Sequence, residues 1–139
     1  MSFSIHVLPP TQLGPDGQRL GQIMIGKFRE RFACYPSSVK VDQMETTWQA
    51  QLRALVAGER CALLIHDPRF AWVIYRDGDK CFVQQRLSLD GSFRDIFPRR
   101  VLNEDGLEIS EWLTTAADIS DFLARCDNSG TDKRLERLK

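Results

Sequence analysis

Residues 61–89, CALLIHDPRFAWVIYRDGDKCFVQQRLSL, decide the fold of this chain. They contain three extended runs with two short turns between them, the runs at 61–66, 70–76 and 81–89 and the turns at 67–69 and 77–80. Connections this short join antiparallel neighbours, because a parallel crossover needs about a dozen residues or more. The stretch therefore predicts an antiparallel meander, and its nearly all-apolar middle run is typical of a central strand covered on both faces.

A helix is predicted directly before this meander. Asp42 can accept hydrogen bonds from the free amides of the first helical turn, and Glu45 three residues later completes a pattern like a capping box. Gly58 suits the residue that leaves the helix with a positive φ. Apolar residues recur between them at helical spacing, namely Met44, Trp48, Leu52, Leu55 and Val56. The helix thus has one apolar face, which we expect to pack on the sheet.

The rest of the chain completes an α+β pattern. Alternation predicts strands over 3–8 and 22–28, and a further short strand is possible over 107–113. A second amphipathic helix should begin at Thr114 or Thr115 and end by Asp127. We predict a single domain over 1–126 in which helices pack against an antiparallel sheet, followed by a small, polar and flexible tail over 127–139 that is disordered or only loosely helical.

Composition excludes several classes of protein. The 139 residues include 19 Lys plus Arg and 19 Asp plus Glu, so the formal charge is zero. That balance argues against a domain that holds nucleic acid by neutralising phosphates. No apolar run approaches the ~20 residues that cross a bilayer, and no signal-peptide pattern is visible, so we expect a cytoplasmic protein without membrane contact.

Few groups in the sequence suggest catalysis or a cofactor. The four cysteines are far apart and lack metal-site or redox spacing, so we expect reduced, mostly buried thiols and no cofactor. There is no phosphate loop, nucleophile elbow or dinucleotide fingerprint. His6 and His66 lie outside any catalytic motif and favour structural roles, and nothing nearby activates Cys34. A hydrolase that uses His66 and Asp67 stays open as an alternative to a non-enzymatic protein.

Charge is unevenly distributed along the chain. The segment 101–124 carries no basic side chain and six acidic ones, which are Glu104, Asp105, Glu108, Glu111, Asp118 and Asp121. The segment is either a solvated loop and helix start or a docking surface for a basic partner, since opposite charge speeds association and sets register. Trp112 lies among these acids, either covering the second helix or anchoring an interface.

The order of several short motifs resembles a known family. They are GQIMIGKFRE at 21–30, WQAQLRAL at 48–55, WVIYR at 72–76, ISEW at 109–112 and DISDFL at 118–123. In this order and spacing they are similar to the CdiI-type immunity proteins of bacterial contact-dependent growth inhibition. The likeness spans most of residues 20–124.

The resemblance implies a small cytoplasmic protein that binds and neutralises the toxic C-terminal domain of a cognate CdiA-type effector. Such toxins are frequently nucleases with basic substrate channels, which an acidic surface would complement. We therefore take the six acids and Trp112 as the candidate toxin-binding residues. A protein-binding adaptor or regulatory domain without a toxin partner is the alternative, and the oligomeric state is left open.

Overall fold

The computed structural model describes residues 2–34, 41–94 and 110–137, and in that part of the chain the elements form two antiparallel sheets and two helices. This confirms the predicted α+β class. The elements in chain order are β1 (Phe3–Val7), β2 (Leu20–Ile25), β3 (Phe28–Ala33), α1 (Val41–Ala57), β4 (Cys61–Ile65), β5 (Phe70–Asp77), β6 (Lys80–Leu87), β7 (Glu111–Thr115) and α2 (Ala116–Arg137).

The larger sheet has the strand order β4-β5-β6-β7, so the predicted meander is confirmed. Asp77 pairs with Lys80, which leaves Gly78 and Asp79 as a two-residue turn. Gly78 has a φ of 62° at the first turn position, as a type II′ hairpin turn requires. The middle of β5 is buried, as expected for a strand with neighbours on both sides.

The smaller sheet has the order β1-β2-β3, and here one sequence prediction is wrong. The strand predicted over 22–28 ends at Ile25, and Phe28 opens β3, which pairs back on β2. Gly26 and Lys27 form the turn between them, and Gly26 has a φ of 60°. A two-residue hairpin turn lacks the cluster of Gly, Pro, Asn and Asp that marks longer loops, so the pattern reads as one continuous strand.

Helix α1 begins at Val41, so Asp42 lies within its first turn, and the helix is followed by the predicted Gly58, whose φ is 132°. It covers the outer edge of the larger sheet through two hydrogen bonds to β4. The indole Nε1 of Trp48 donates to the carbonyl oxygen of Ile65 at 2.8 Å. The side-chain oxygen of Gln51 accepts from the backbone N–H of Leu63 at 3.1 Å. These bonds give partners to backbone groups that would otherwise lack a hydrogen bond, because β4 is an edge strand.

Helix α2 follows β7 without a loop. The backbone N–H of Asp118 donates to the hydroxyl of Thr115 at 3.1 Å, so Thr115 caps the helix and the predicted start is confirmed. The strand predicted over 107–113 corresponds to β7, although 107–109 lie outside the described residues. The backbone of α2 continues to Arg137, so the helix end predicted at Asp127 is too early. The flexibility predicted for 127–139 stays a prediction.

Both sheets and both helices contribute to one hydrophobic core. Its large side chains with almost no exposure are Phe3, Ile23, Trp48, Leu52, Leu55, Leu64, Trp72, Ile74 and Ile119. A second, smaller cluster lies on the opposite face of the larger sheet, where Phe93 packs with residues such as Val73 and Tyr75. Within the described ranges, neither helix is long and apolar enough to cross a bilayer.

Candidate functional site

The candidate residues from the sequence are only partly described by the structure. Glu104, Asp105 and Glu108 lie outside the described residues. Glu111 and Trp112 are on β7, and Asp118 and Asp121 are on the first turns of α2. Their placement decides whether the described part of the acidic segment forms one surface.

Glu111 and Trp112 project from opposite faces of the larger sheet, because side chains alternate along a strand. On the face away from the main core, Nε2 of the fully buried Gln84 donates to the Glu111 carboxylate at 2.7 Å. Arg86 continues this polar chain, since its guanidinium donates to the hydroxyl of Tyr75 at 3.2 Å and to the side-chain oxygen of Gln84 at 3.4 Å. The Glu111 carboxylate therefore accepts a hydrogen bond from the buried side-chain amide of Gln84 on that face.

Trp112 packs against the main core. Its ring stacks on Phe28 with the centroids 4.0 Å apart and an interplanar angle of 22°. It also meets Trp72 edge to face at 5.9 Å. Phe28 belongs to the smaller sheet and Trp72 to the larger one, so Trp112 bridges the two sheets.

The two acids of α2 do lie together. Asp118 and Asp121 are one turn apart, with Asp118 half-buried and Asp121 exposed. Both are near the positive end of the helix dipole, which favours carboxylates there. The described candidates thus divide into an acidic turn on α2, a partly buried aromatic between the sheets, and a carboxylate bound to Gln84 on the far sheet face.

A cleft that the sequence analysis did not identify opens between α1, α2 and β1. Its volume is about 620 Å³, within the range of ordinary ligand sites. The α1 wall is formed by residues at helical spacing, Asp42, Glu45, Thr46 and Gln49, and the α2 wall by Phe122, Arg125 and Cys126. The spacing of Asp42 and Glu45 was visible in the sequence as a helix cap, but their relation to α2 depends on tertiary packing.

The cation beside the cleft is held by a hydrogen bond. The guanidinium of Arg125 donates to the carbonyl oxygen of Phe3 at 3.0 Å, which ties it to the β1 backbone. His6 lines the cleft and packs edge to face on Phe122, with ring centroids 5.5 Å apart. Partial burial and the positive charge of Arg125 both lower the pKa of His6. Asp42 and Glu45 supply the negative charge of the lining.

His66, the residue of the hydrolase hypothesis, is buried among aromatic rings. Its Nδ1 lies 2.8 Å from the carbonyl oxygen of Ala33, and its ring contacts Phe32 at a centroid distance of 4.5 Å. Burial lowers the pKa of His66, while the bond to Ala33 and the charge of Asp67 act in the opposite direction. These contacts give the ring a structural role between β4 and β3.

The cysteines are free thiols, and three of them are buried. Burial raises the pKa of Cys34 to about 12 and those of Cys61 and Cys81 to about 11. Thiols of this kind stay protonated and are poor nucleophiles. Among the described residues, no group of three or more His, Cys, Asp or Glu side chains is arranged to hold a metal ion.

A comparison with protein families decides the relationship suggested by the motifs. The family model described as the CdiI N-terminal domain matches residues 37–122, more than half of the chain. The chain belongs to the CdiI N-terminal domain family. The matched range includes α1, the larger sheet and the part of α2 that carries Asp118 and Asp121, and the resemblance to CdiI-type immunity proteins is confirmed.

The fold of this CdiI-type chain is also similar to a solved structure. The match is to the CdiA-CT/CdiI toxin and immunity complex from Enterobacter cloacae, with a TM-score of 0.71 and 20% sequence identity. It covers 91% of this chain and 99% of that chain. At this identity the likeness concerns the fold. Among curated proteins, no sequence matches this chain.

Proposed function

We propose that this chain binds the toxic C-terminal domain of a cognate CdiA-type effector and neutralises it by forming a stable complex. The observation that carries the proposal is the match of residues 37–122 to the CdiI N-terminal domain. The similar solved structure, which contains a CdiA-CT toxin together with CdiI, supports the same role. Protection by a complex requires binding and no chemistry from this chain.

We further propose that the cognate toxin is a nuclease and that the acidic segment faces its basic substrate channel. Support comes from the six carboxylates and the lack of basic residues in 101–124, and from the exposed position of Asp121 on α2. An inhibitor with this charge can fill a basic substrate channel that normally binds phosphates. The positive field of that channel also speeds the association of the inhibitor. Glu111 is a weaker candidate than Asp121 because it is bonded to Gln84.

The first experiment is a co-purification of the full chain with the toxin domain encoded by the neighbouring gene. We expect one peak on size exclusion that contains both proteins at micromolar concentration. Two separate peaks under those conditions would contradict the proposal and leave an adaptor for some other protein as the better interpretation.

A titration distinguishes a binding inhibitor from an enzyme that inactivates the toxin. Increasing amounts of this chain are added to a fixed amount of toxin, and nucleic-acid degradation is followed over time. A stoichiometric inhibitor protects in proportion to its amount and reaches a plateau at a fixed molar ratio. If a small fraction of this chain progressively inactivates excess toxin, the chain is acting catalytically. A toxin that kills cells without degrading nucleic acid contradicts the nuclease proposal alone.

A further inference from the structure

The cleft between α1, α2 and β1 has an uneven distribution of charge. Asp42 and Glu45 contribute two carboxylates on the α1 wall, one helical turn apart. Arg125 is the only Lys or Arg among the described lining residues, and its guanidinium donates to the Phe3 carbonyl oxygen. The α1 side of the cleft is therefore an acidic wall opposite a cation that is tied to the backbone of β1.

The cleft also offers apolar surface next to these carboxylates. Cys126 lies on the α2 wall and Met24 on the side formed by the smaller sheet, and both are only half-buried. A long basic side chain matches this combination, because its methylene stem packs on apolar atoms while its charged end needs an anionic or polar partner. Gln49 and Thr46 add hydrogen-bonding groups beside the two acids.

We propose that this cleft receives a lysine or arginine side chain from the surface of the toxin domain. The inference rests on the proposed function, and it adds a contact site on α1 that lies outside the acidic segment 101–124. The basic end of the guest side chain lies between Asp42 and Glu45, and its stem lies against Met24 and Cys126. An acidic guest is disfavoured, because the described lining carries two carboxylates and one guanidinium, that of Arg125.

Two neighbouring threonines of α1 provide a matched pair of variants. Thr46 lines the cleft and Thr47 does not. Both are exposed, and their hydroxyls make the same kind of bond within the helix, to the carbonyl oxygens of Asp42 at 2.7 Å and of Gln43 at 2.8 Å. Substitutions at the two positions should therefore have similar effects on the helix and different effects on the cleft.

The experiment measures the affinity of the full chain for the toxin domain in four variants, Thr46→Arg, Thr46→Glu, Thr47→Arg and Thr47→Glu. Thr46→Arg places a cation where the guest cation binds, so we expect affinity to fall by at least about tenfold. Thr46→Glu should preserve or raise the affinity, and both Thr47 variants should remain within about twofold of the wild type. Thermal unfolding of each free variant checks that the fold is intact.

Each outcome has a distinct meaning. If Thr46→Arg and Thr46→Glu weaken binding equally, the cleft does not select a basic side chain, and the proposal is wrong. A stronger loss with Thr46→Glu than with Thr46→Arg would indicate an acidic guest, which also overturns it. If neither Thr46 variant differs from its Thr47 counterpart, the cleft is outside the interface. If the wild-type chain does not bind the toxin domain, the proposed function itself fails.

Discussion

His66 connects the two sheets through a single hydrogen bond. The carbonyl oxygen of Ala33 can only accept, so Nδ1 of the imidazole carries the hydrogen and donates to it at 2.8 Å. Nε2 then holds the lone pair and, in the described part of the structure, is buried without a hydrogen-bond partner. Protonation would create a buried donor at Nε2 with nothing to bind, so the fold favours the neutral ring.

Because burial lowers the pKa of His66, the protein should lose stability in mild acid. Above the ordinary pKa of 6.5 the ring is neutral in both states. As the pH falls below that value the unfolded chain binds the proton more readily, so the free energy of unfolding decreases until the folded pKa is passed. Urea unfolding at about pH 7.5 and about pH 5 measures this loss.

The variant His66→Phe keeps an aromatic ring and removes the titration. We expect it to be about 1 kcal/mol less stable at neutral pH, because the bond to Ala33 is lost, and to show a smaller decrease in acid. A second variant, His6→Gln, removes the titration of the other histidine, because burial also lowers the pKa of His6. If acid lowered the free energy of unfolding equally in His66→Phe and in the wild type, His66 would not be the cause of the acid sensitivity.

At the scale of elements, α2 combines a capping residue with an acidic first half. Thr115 caps the helix, and Asp118 and Asp121 follow near its positive end. Asp118 is half-buried in the first turn, so replacing it would disturb the helix as well as any interface. Asp121 is exposed in the second turn and is the better probe of binding.

Reversing the charge of Asp121 should slow association with the toxin domain. We expect Asp121→Lys to reduce the association rate several-fold at low salt, to leave the dissociation rate nearly unchanged, and to make the association rate less dependent on salt. Glu59→Lys is the matched control, because it reverses an exposed charge beyond the far end of α1. Equal rates for the two variants at every salt concentration would remove Asp121 from the electrostatic surface.

At the scale of the whole molecule, aromatic rings join the two sheets. Trp112 of the larger sheet stacks on Phe28 of the smaller one, and Phe32 of the smaller sheet meets Trp72 of the larger one at 5.9 Å. The two sheets are therefore held together by side chains from elements far apart in the chain. This arrangement gives Trp112 a role in the core.

Trp112→Ala should lower the free energy of unfolding by roughly 2–4 kcal/mol, because it removes the ring that fills the space between Phe28 and Trp72. Leu113→Ala, on the same strand at a position 45% exposed, should cost less than about 1 kcal/mol. Chemical unfolding of the free chain measures both values. If Trp112→Ala left stability unchanged and weakened only toxin binding, Trp112 would be an interface anchor.

Much of the local structure follows from the sequence. The spacing of Met44, Trp48, Leu52 and Leu55 predicts α1, the short turns after β4 and β5 predict the meander, and the threonine before α2 marks its start. These features depend on neighbours within a few residues, where strand alternation and the helical period act directly. The motif order also pointed to the family that the comparison then identified.

Only the tertiary structure decided how these elements meet. The pairing of β3 with β2, the stacking of Phe28 on Trp112 and the cleft between α1 and α2 all join segments whose contact no local period encodes. The charge count likewise identified an acidic segment, yet it could not separate Glu111, bonded to a buried Gln84, from the exposed Asp121. The physical reason is that burial and packing depend on contacts between distant parts of the chain, whereas propensity and periodicity act locally.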